Sequence, residues 1–262
     1  MESWNKYTYL YGLNSCFIPK ELREQCMDLF RQQNLLEKVM NGNSSMNLPC
    51  KYENSLNEIR FTSKFYETME SGFLTPASYL VRIVQEWNYL KSIGKPIKKP
   101  NWTEERLLLG IVGRGLRTLP SLIRELDLCQ KLAERLEGAR VFRTEPKDDF
   151  ESHTDLCIET KDKLYRVWSY QNTWRGMSNM HHKFKGKRGE LESGYYLLCP
   201  YDIGNMFYVE EVYTWCLHGK PYIDKVLTVL KEDVFIDYYK LTALSDYEFN
   251  QKAKHICMVY KS

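Results

Sequence analysis

Between Glu151 and Thr173 the chain reads ESHTDLCIETKDKLYRVWSYQNT, the stretch best equipped for chemistry. Asp155, Cys157 and Glu159 alternate with Leu156 and Ile158, the period-two pattern of a strand with one polar or small face. Thr160–Lys163 is a charged turn. Leu164, Tyr165, Val167, Trp168 and Tyr170 then form a second strand of β-branched and aromatic residues, ending on Ser169-Tyr170-Gln171-Asn172. A carboxylate at the head of one strand thus meets hydroxyl and amide groups at the end of its hairpin partner. That makes a compact place for chemistry.

Other reactive residue types carry less. The eight cysteines show no CxxC spacing, which excludes a zinc-ribbon or finger framework and fits free thiols in a reducing, cytoplasmic setting. Cys157 lies between two acids, which disfavours its thiolate. His181 and His182 are adjacent on a predicted helix, where neighbours point about 100° apart, so they cannot readily share one ion. His153 shares the strand face of Asp155. Gly110, Gly113 and Gly115 follow a helix rather than a strand and lack the lysine–serine ending of a phosphate loop.

The elements that position this hairpin follow in order. Residues 1–98 read as a mainly helical N-terminal region, with an apolar face of Tyr79, Leu80, Ile83, Val84 and Trp87 after Thr75-Pro76. Gly94–Pro100 resembles a stiff linker, and residues 99–262 form the second domain. Within it one helix starts near Asn101, and Thr118-Leu-Pro-Ser opens another that Gly138 stops. A strand at 139–144, the hairpin, a helix within 174–191 and a buried strand, Tyr195–Cys199, closed by Pro200, come next. A strand at 207–213, a helix at 222–230, an extended stretch at 233–239, then a helix and a short strand at 256–260, complete the pattern.

From Thr118 to Pro200 this order is helix, strand, strand, strand, helix, strand. It resembles the αβββαβ core of the PD-(D/E)XK nuclease superfamily, the restriction-endonuclease-like fold, in an α/β chain. There an acid opens the second strand and an acid-x-lysine triplet sits on the third. The resemblance covers the central third of the chain. It implies that Asp155 is the principal metal ligand, with Glu159 or an upstream glutamate (Glu151, or Glu125 on the preceding helix) as the second. The triplet becomes Ser169-Tyr170-Gln171, with both charged members replaced by neutral groups: Gln171 would orient water or phosphate, and Ser169 and Tyr170 would line the site. The cofactor implied is Mg²⁺, with Mn²⁺ as a substitute, and the activity is endonucleolytic hydrolysis of DNA in preference to RNA. Glu159-Thr160-Lys161 offers a second register at the hairpin tip.

Beyond the hairpin, Asn172, Arg175, Lys185, Lys187 and Arg188, interleaved with Trp174 and Phe184, are candidates for gripping backbone phosphates. The net charge of +3 by itself identifies no polyanion partner. Two rival readings stay open. One is a catalytically inactive module of the same fold, with Trp168, Tyr170 and Trp174 as a stacking surface. The other is an interaction subunit or homodimer using the N-terminal helices. No stretch reaches membrane-spanning length, and no membrane partner is expected.

Overall fold

The computed structural model describes residues 59–71, 76–95, 104–144, 154–186, 191–202, 205, 209–212 and 215–262. The helices expected before residue 59, most of the linker, Glu151, His153, Lys187 and Arg188 lie outside the described residues. The chain divides into two compact units, Met1–Leu122 and Ile123–Ser262, so the division falls at 122/123 rather than at the expected 98/99.

In the first unit, α1 (Phe61–Glu70) and α2 (Pro76–Ser92) pack through Phe61, Phe65, Tyr79, Leu80 and Ile83, all buried. The apolar face expected for α2 is buried in full. Glu86, only 5% exposed, is neutralised by Arg60 at 3.0 Å and Lys64 at 3.2 Å, as burial of a charge requires. A single helix, α3 (Glu104–Arg135), replaces the two helices expected over this stretch. It runs through all three glycines and Pro120. Gly115 shows why: a Cβ there would meet Ile83 Cδ1 at 2.7 Å and Leu80 Cδ2 at 3.1 Å. This glycine lets α2 approach α3 closely, and that packing outweighs its helix propensity cost of about 1 kcal/mol.

The second unit is a six-stranded mixed sheet with helices on both faces. The last turns of α3 lead into β1 (Arg140–Arg143), β2 (Leu156–Glu159) and β3 (Leu164–Gln171), an antiparallel meander with Leu156 opposite Val167. After α4 (Trp174–Phe184), β4 (Gly194–Tyr201) lies parallel to β3 in continuous register from Tyr165↔Tyr195 to Gln171↔Tyr201. Pro200 does not close β4. It lies beyond Leu198, where pairing with the strand on its other side ends, so its missing N–H breaks no ladder there.

A hairpin of β5 (Val209–Val212) and β6 (Trp215–His218) precedes α5 (Lys220–Glu232). β7 (Phe235–Asp237), α6 (Tyr238–Thr242), α7 (Asp246–Ala253) and β8 (Cys257–Lys261) finish the unit. β8 enters between β4, antiparallel, and β7, parallel.

Alternation along the strands builds two cores. Leu156, Ile158, Tyr165, Val167, Leu197 and Cys199 face Leu128 and Leu132 of α3 and Tyr222, Ile223 and Val226 of α5. On the other face Trp168, Tyr196 and Leu198 meet Met180 and Phe184 of α4 and Phe249 of α7. Trp168 is 1% exposed, with Phe184 at 4.6 Å and Tyr196 at 5.8 Å, both edge-on.

Candidate active site at the fork of β2 and β3

β2 begins at Leu156, so Asp155 stands where β2 and β3 separate. Its N–H still donates to the Val167 carbonyl at 3.1 Å. Its carboxylate Oδ2 accepts the Ser169 N–H at 2.6 Å, replacing the ladder bond the diverging strands no longer make. That charge-assisted bond fixes the carboxylate at the end of the hairpin. Ser169 and Gln171 lie on the same face of β3 as Val167, two residues apart, and Gln171 is in register with Tyr201 of β4. The Asp155 carboxylate therefore meets the β3 backbone at Ser169, two residues before Gln171, at the C-terminal end of β3.

Glu159 sits at the opposite end of β2, four residues or about 13 Å from Asp155. There it is half-exposed and faces Arg140 at 3.5 Å. It and Asp155 stand at opposite ends of one strand, and the structure does not bring them together. The alternative triplet Glu159-Thr160-Lys161 occupies the hairpin tip, where Thr160 N–H bonds the Lys163 carbonyl at 2.9 Å and Lys161 is exposed. Glu125, on α3, is partly buried. No group of three or more His, Cys, Asp or Glu side chains gathered for a metal occurs among the described residues.

Tyr170 does not line the site. Alternation turns it to the other face, where its hydroxyl donates to the Ala253 carbonyl, and burial holds its pKa well above the ordinary tyrosine value. With Trp168 in the core, only Trp174 of the expected stacking trio is exposed, at 58%.

Asn172 follows Gln171 and links the strand ends: its N–H donates to the Tyr201 carbonyl at 2.7 Å, and its amide donates to Asp202 at 3.3 Å. Thr173 caps α4, accepting the Gly176 N–H at 3.1 Å. Gly176 approaches the strand end so closely that a Cβ there would lie 2.2 Å from the Gln171 carbonyl oxygen. Arg175 is exposed in the first turn of α4 and Lys185 is exposed at its C-cap, about 15 Å further along the axis. His181 is buried, stacked on Phe249 at 4.2 Å with Asp246 2.6 Å from Nδ1, while His182 is exposed. The two histidines point apart, as their adjacency predicts.

Several residues at this end went unread in the sequence. Arg124 of α3 lies over the Tyr201 ring at 4.7 Å and is 7% exposed. One turn on, Asp127 Oδ2 accepts both the backbone N–H and the Nδ1–H of His218, each at 2.8 Å. Lys131 completes the group, 3.0 Å from Asp127 Oδ1 and donating to the His218 carbonyl at 2.6 Å. Burial works to raise the Asp127 pKa, but the bonds from His218 and Lys131 hold it below the ordinary value. Burial lowers the pKa of His218, against the opposing pull of Asp127. The available signal was three charges at i, i+3 and i+7 on a helix face otherwise holding Leu128 and Leu132.

The thiols of β8 and α3 are poor nucleophiles: burial pushes Cys257 up to about 12 and Cys129 up to about 11. No helix among the described residues is long and apolar enough to cross a membrane. Comparison with protein-family models, curated proteins and solved structures finds no match to this chain.

Proposed function

We propose that this chain is a nuclease of the restriction-endonuclease-like fold that binds DNA across the C-terminal ends of β3 and β4 and hydrolyses its phosphodiester bonds with the aid of a divalent cation. The observation that carries this reading is the junction of Asp155 with Ser169, two residues before Gln171, at the fork of β2 and β3. The element order from α3 to β4, with a meander followed by a parallel crossover strand, supports the fold.

One carboxylate, one hydroxyl and one amide oxygen form a hard-oxygen set that meets the least that Mg²⁺ or Mn²⁺ requires when phosphate oxygens supply further ligands. Asp155, Gln171 and Ser169 would hold the ion, which when bound would polarise the phosphate and stabilise the charge that builds on it. The Ser169 N–H orients the Asp155 carboxylate. The Gln171 amide, with a donor and an acceptor, is suited to orienting a water or a phosphate oxygen. Arg175 and Lys185 supply exposed positive charge for the backbone.

A second reading has its own support. Because Glu159 is about 13 Å away, it does not share an ion with Asp155, and a site left with one carboxylate would bind nucleic acid without cutting it. Incubating the protein with plasmid, single-stranded DNA and RNA, with Mg²⁺ or Mn²⁺, separates the two. Cation-dependent cleavage abolished in Asp155→Ala is the expected result. Salt-dependent binding of uncut DNA selects the second reading, and neither binding nor cleavage by folded protein refutes both.

A further inference from the structure

The Asp127–His218 pair is a buried polar assembly that the proposed chemistry leaves unused. His218 is 0% exposed, and among the described residues nothing hydrogen-bonds its Nε2. A buried imidazole nitrogen left without a partner calls for an account of what holds the ring there. Its surroundings indicate what. The His218 ring stands edge-on to Tyr201, centroids 4.8 Å apart at 72°, and lies 4.8 Å from Tyr222. The Tyr201 hydroxyl donates to the Leu217 carbonyl at 3.4 Å, next to His218, and the Arg124 guanidinium covers the Tyr201 ring. Tyr222 in turn donates to the Pro200 carbonyl at 2.9 Å. Tyr201, the last residue of β4, is thus held from several sides, and its own carbonyl receives the Asn172 N–H.

We infer that Asp127 and His218 are positioning residues for the candidate site: Asp127 locks the His218 ring, the ring fixes Tyr201, and the Tyr201 backbone fixes Asn172 and the adjoining Gln171. The functional consequence rests on the proposed DNA-binding site, but the mechanical chain does not. Asp127 bonds both the backbone and the ring of His218, so the imidazole cannot rotate without breaking a bond to a buried carboxylate. Lys131 holds that carboxylate on its other oxygen. The strand end that presents Gln171 is therefore tied to α3, on the face opposite α4.

The test compares Asp127→Ala with Asp127→Asn, which keeps an acceptor oxygen in place. Amide hydrogen exchange is followed at Asn172 and, as a reference within the same sheet, at Leu197. A positioning role predicts that Asp127→Ala speeds exchange at Asn172 about tenfold more than at Leu197, and that Asp127→Asn restores most of the difference. Equal acceleration at the two amides in both variants would mark general destabilisation and overturn the inference, as would an unchanged Asn172. Should Asp127→Ala not fold, a selective effect at Asn172 in Asp127→Asn supports the inference, and a uniform or absent one overturns it. Binding of a fluorescein-labelled single-stranded DNA 20-mer is measured on the same samples. If the unaltered protein does not bind it, the DNA-binding reading loses support while the exchange result still decides the role of the pair.

Discussion

Replacing Gly176 by alanine sets two ordinary effects against each other, and the structure decides between them. Gly176 is the third residue of α4, and helix propensity alone favours alanine there by up to about 1 kcal/mol. The new Cβ would lie 2.2 Å from the Gln171 carbonyl oxygen, 3.3 Å from its carbonyl carbon and 3.3 Å from Thr173 Oγ1. An oxygen–carbon contact of that kind needs about 1 Å more room. The atom met is backbone of β3, which cannot swing aside like the tip of a lysine. Overpacking costs about 1–3 kcal/mol, and a backbone clash belongs at the upper end, leaving a net loss of about 1–2 kcal/mol. For the 140 residues from Ile123 to Ser262 this lowers the melting temperature by about 3–8 °C. Thermal unfolding followed by circular dichroism measures it, with Asn179→Ala, at an exposed position of the same helix, as the control expected to gain a few tenths of a kcal/mol. If Gly176→Ala raises the melting temperature as the control does, the close approach of α4 to Gln171 is wrong. So, then, is the placement of the site.

Glu159→Gln, which removes an exposed charge pair, should change stability by less than about 0.5 kcal/mol and leave cleavage or binding intact, whereas Asp155→Asn should abolish cleavage; equal losses in both would restore Glu159 to the site. Arg175→Ala and Lys185→Ala should each lower the slope of log Kd against log salt by about 1 without changing sequence preference, read by fluorescence anisotropy. Stability should fall as the pH drops below about 6.5. Burial lowers the pKa of His218 and of His181, so the unfolded chain takes up protons there that the folded protein refuses. Asp127, held below its ordinary value, adds a loss at lower pH, as it becomes protonated in the fold. Urea midpoints measured across pH 4–8 should show a weaker dependence between about 6.5 and 5 in His218→Phe, and an unchanged dependence would refute the assignment.

The strands were legible where their pattern was local. Leu156 and Ile158 against Tyr165 and Val167 announced the hairpin, and its register put Asp155 at the fork. Glu159 shares a strand face with Asp155 in the pattern, but four residues of extended chain, about 13 Å, separate the two in space. Tyr170 was misplaced for a related reason: the alternation that brings Ser169 and Gln171 together sends the residue between them to the other face. The glycines of α3 misled because a glycine's role depends on what approaches it, and Gly115 meets α2 from a distant part of the sequence. The Arg124, Asp127, Tyr201 and His218 assembly was invisible for the same reason. Its members come from three elements up to 94 residues apart, and only the folded sheet brings them into contact.

The place of β8 carries a consequence for how the second unit assembles. Strands β1 to β4 follow one another in sequence and in space, so residues 140–201 can pair as soon as they exist. β7 does not join them directly, since among the described residues it pairs with β8 alone, which is made after it and lies between it and β4. Folding is thus expected in two stages: an early meander with its crossover, then a late closure in which β8 docks and carries β7 with it. Until then β4 offers an open edge bearing Tyr195 and Leu197, the stage at which the nascent unit is most prone to pair with another chain.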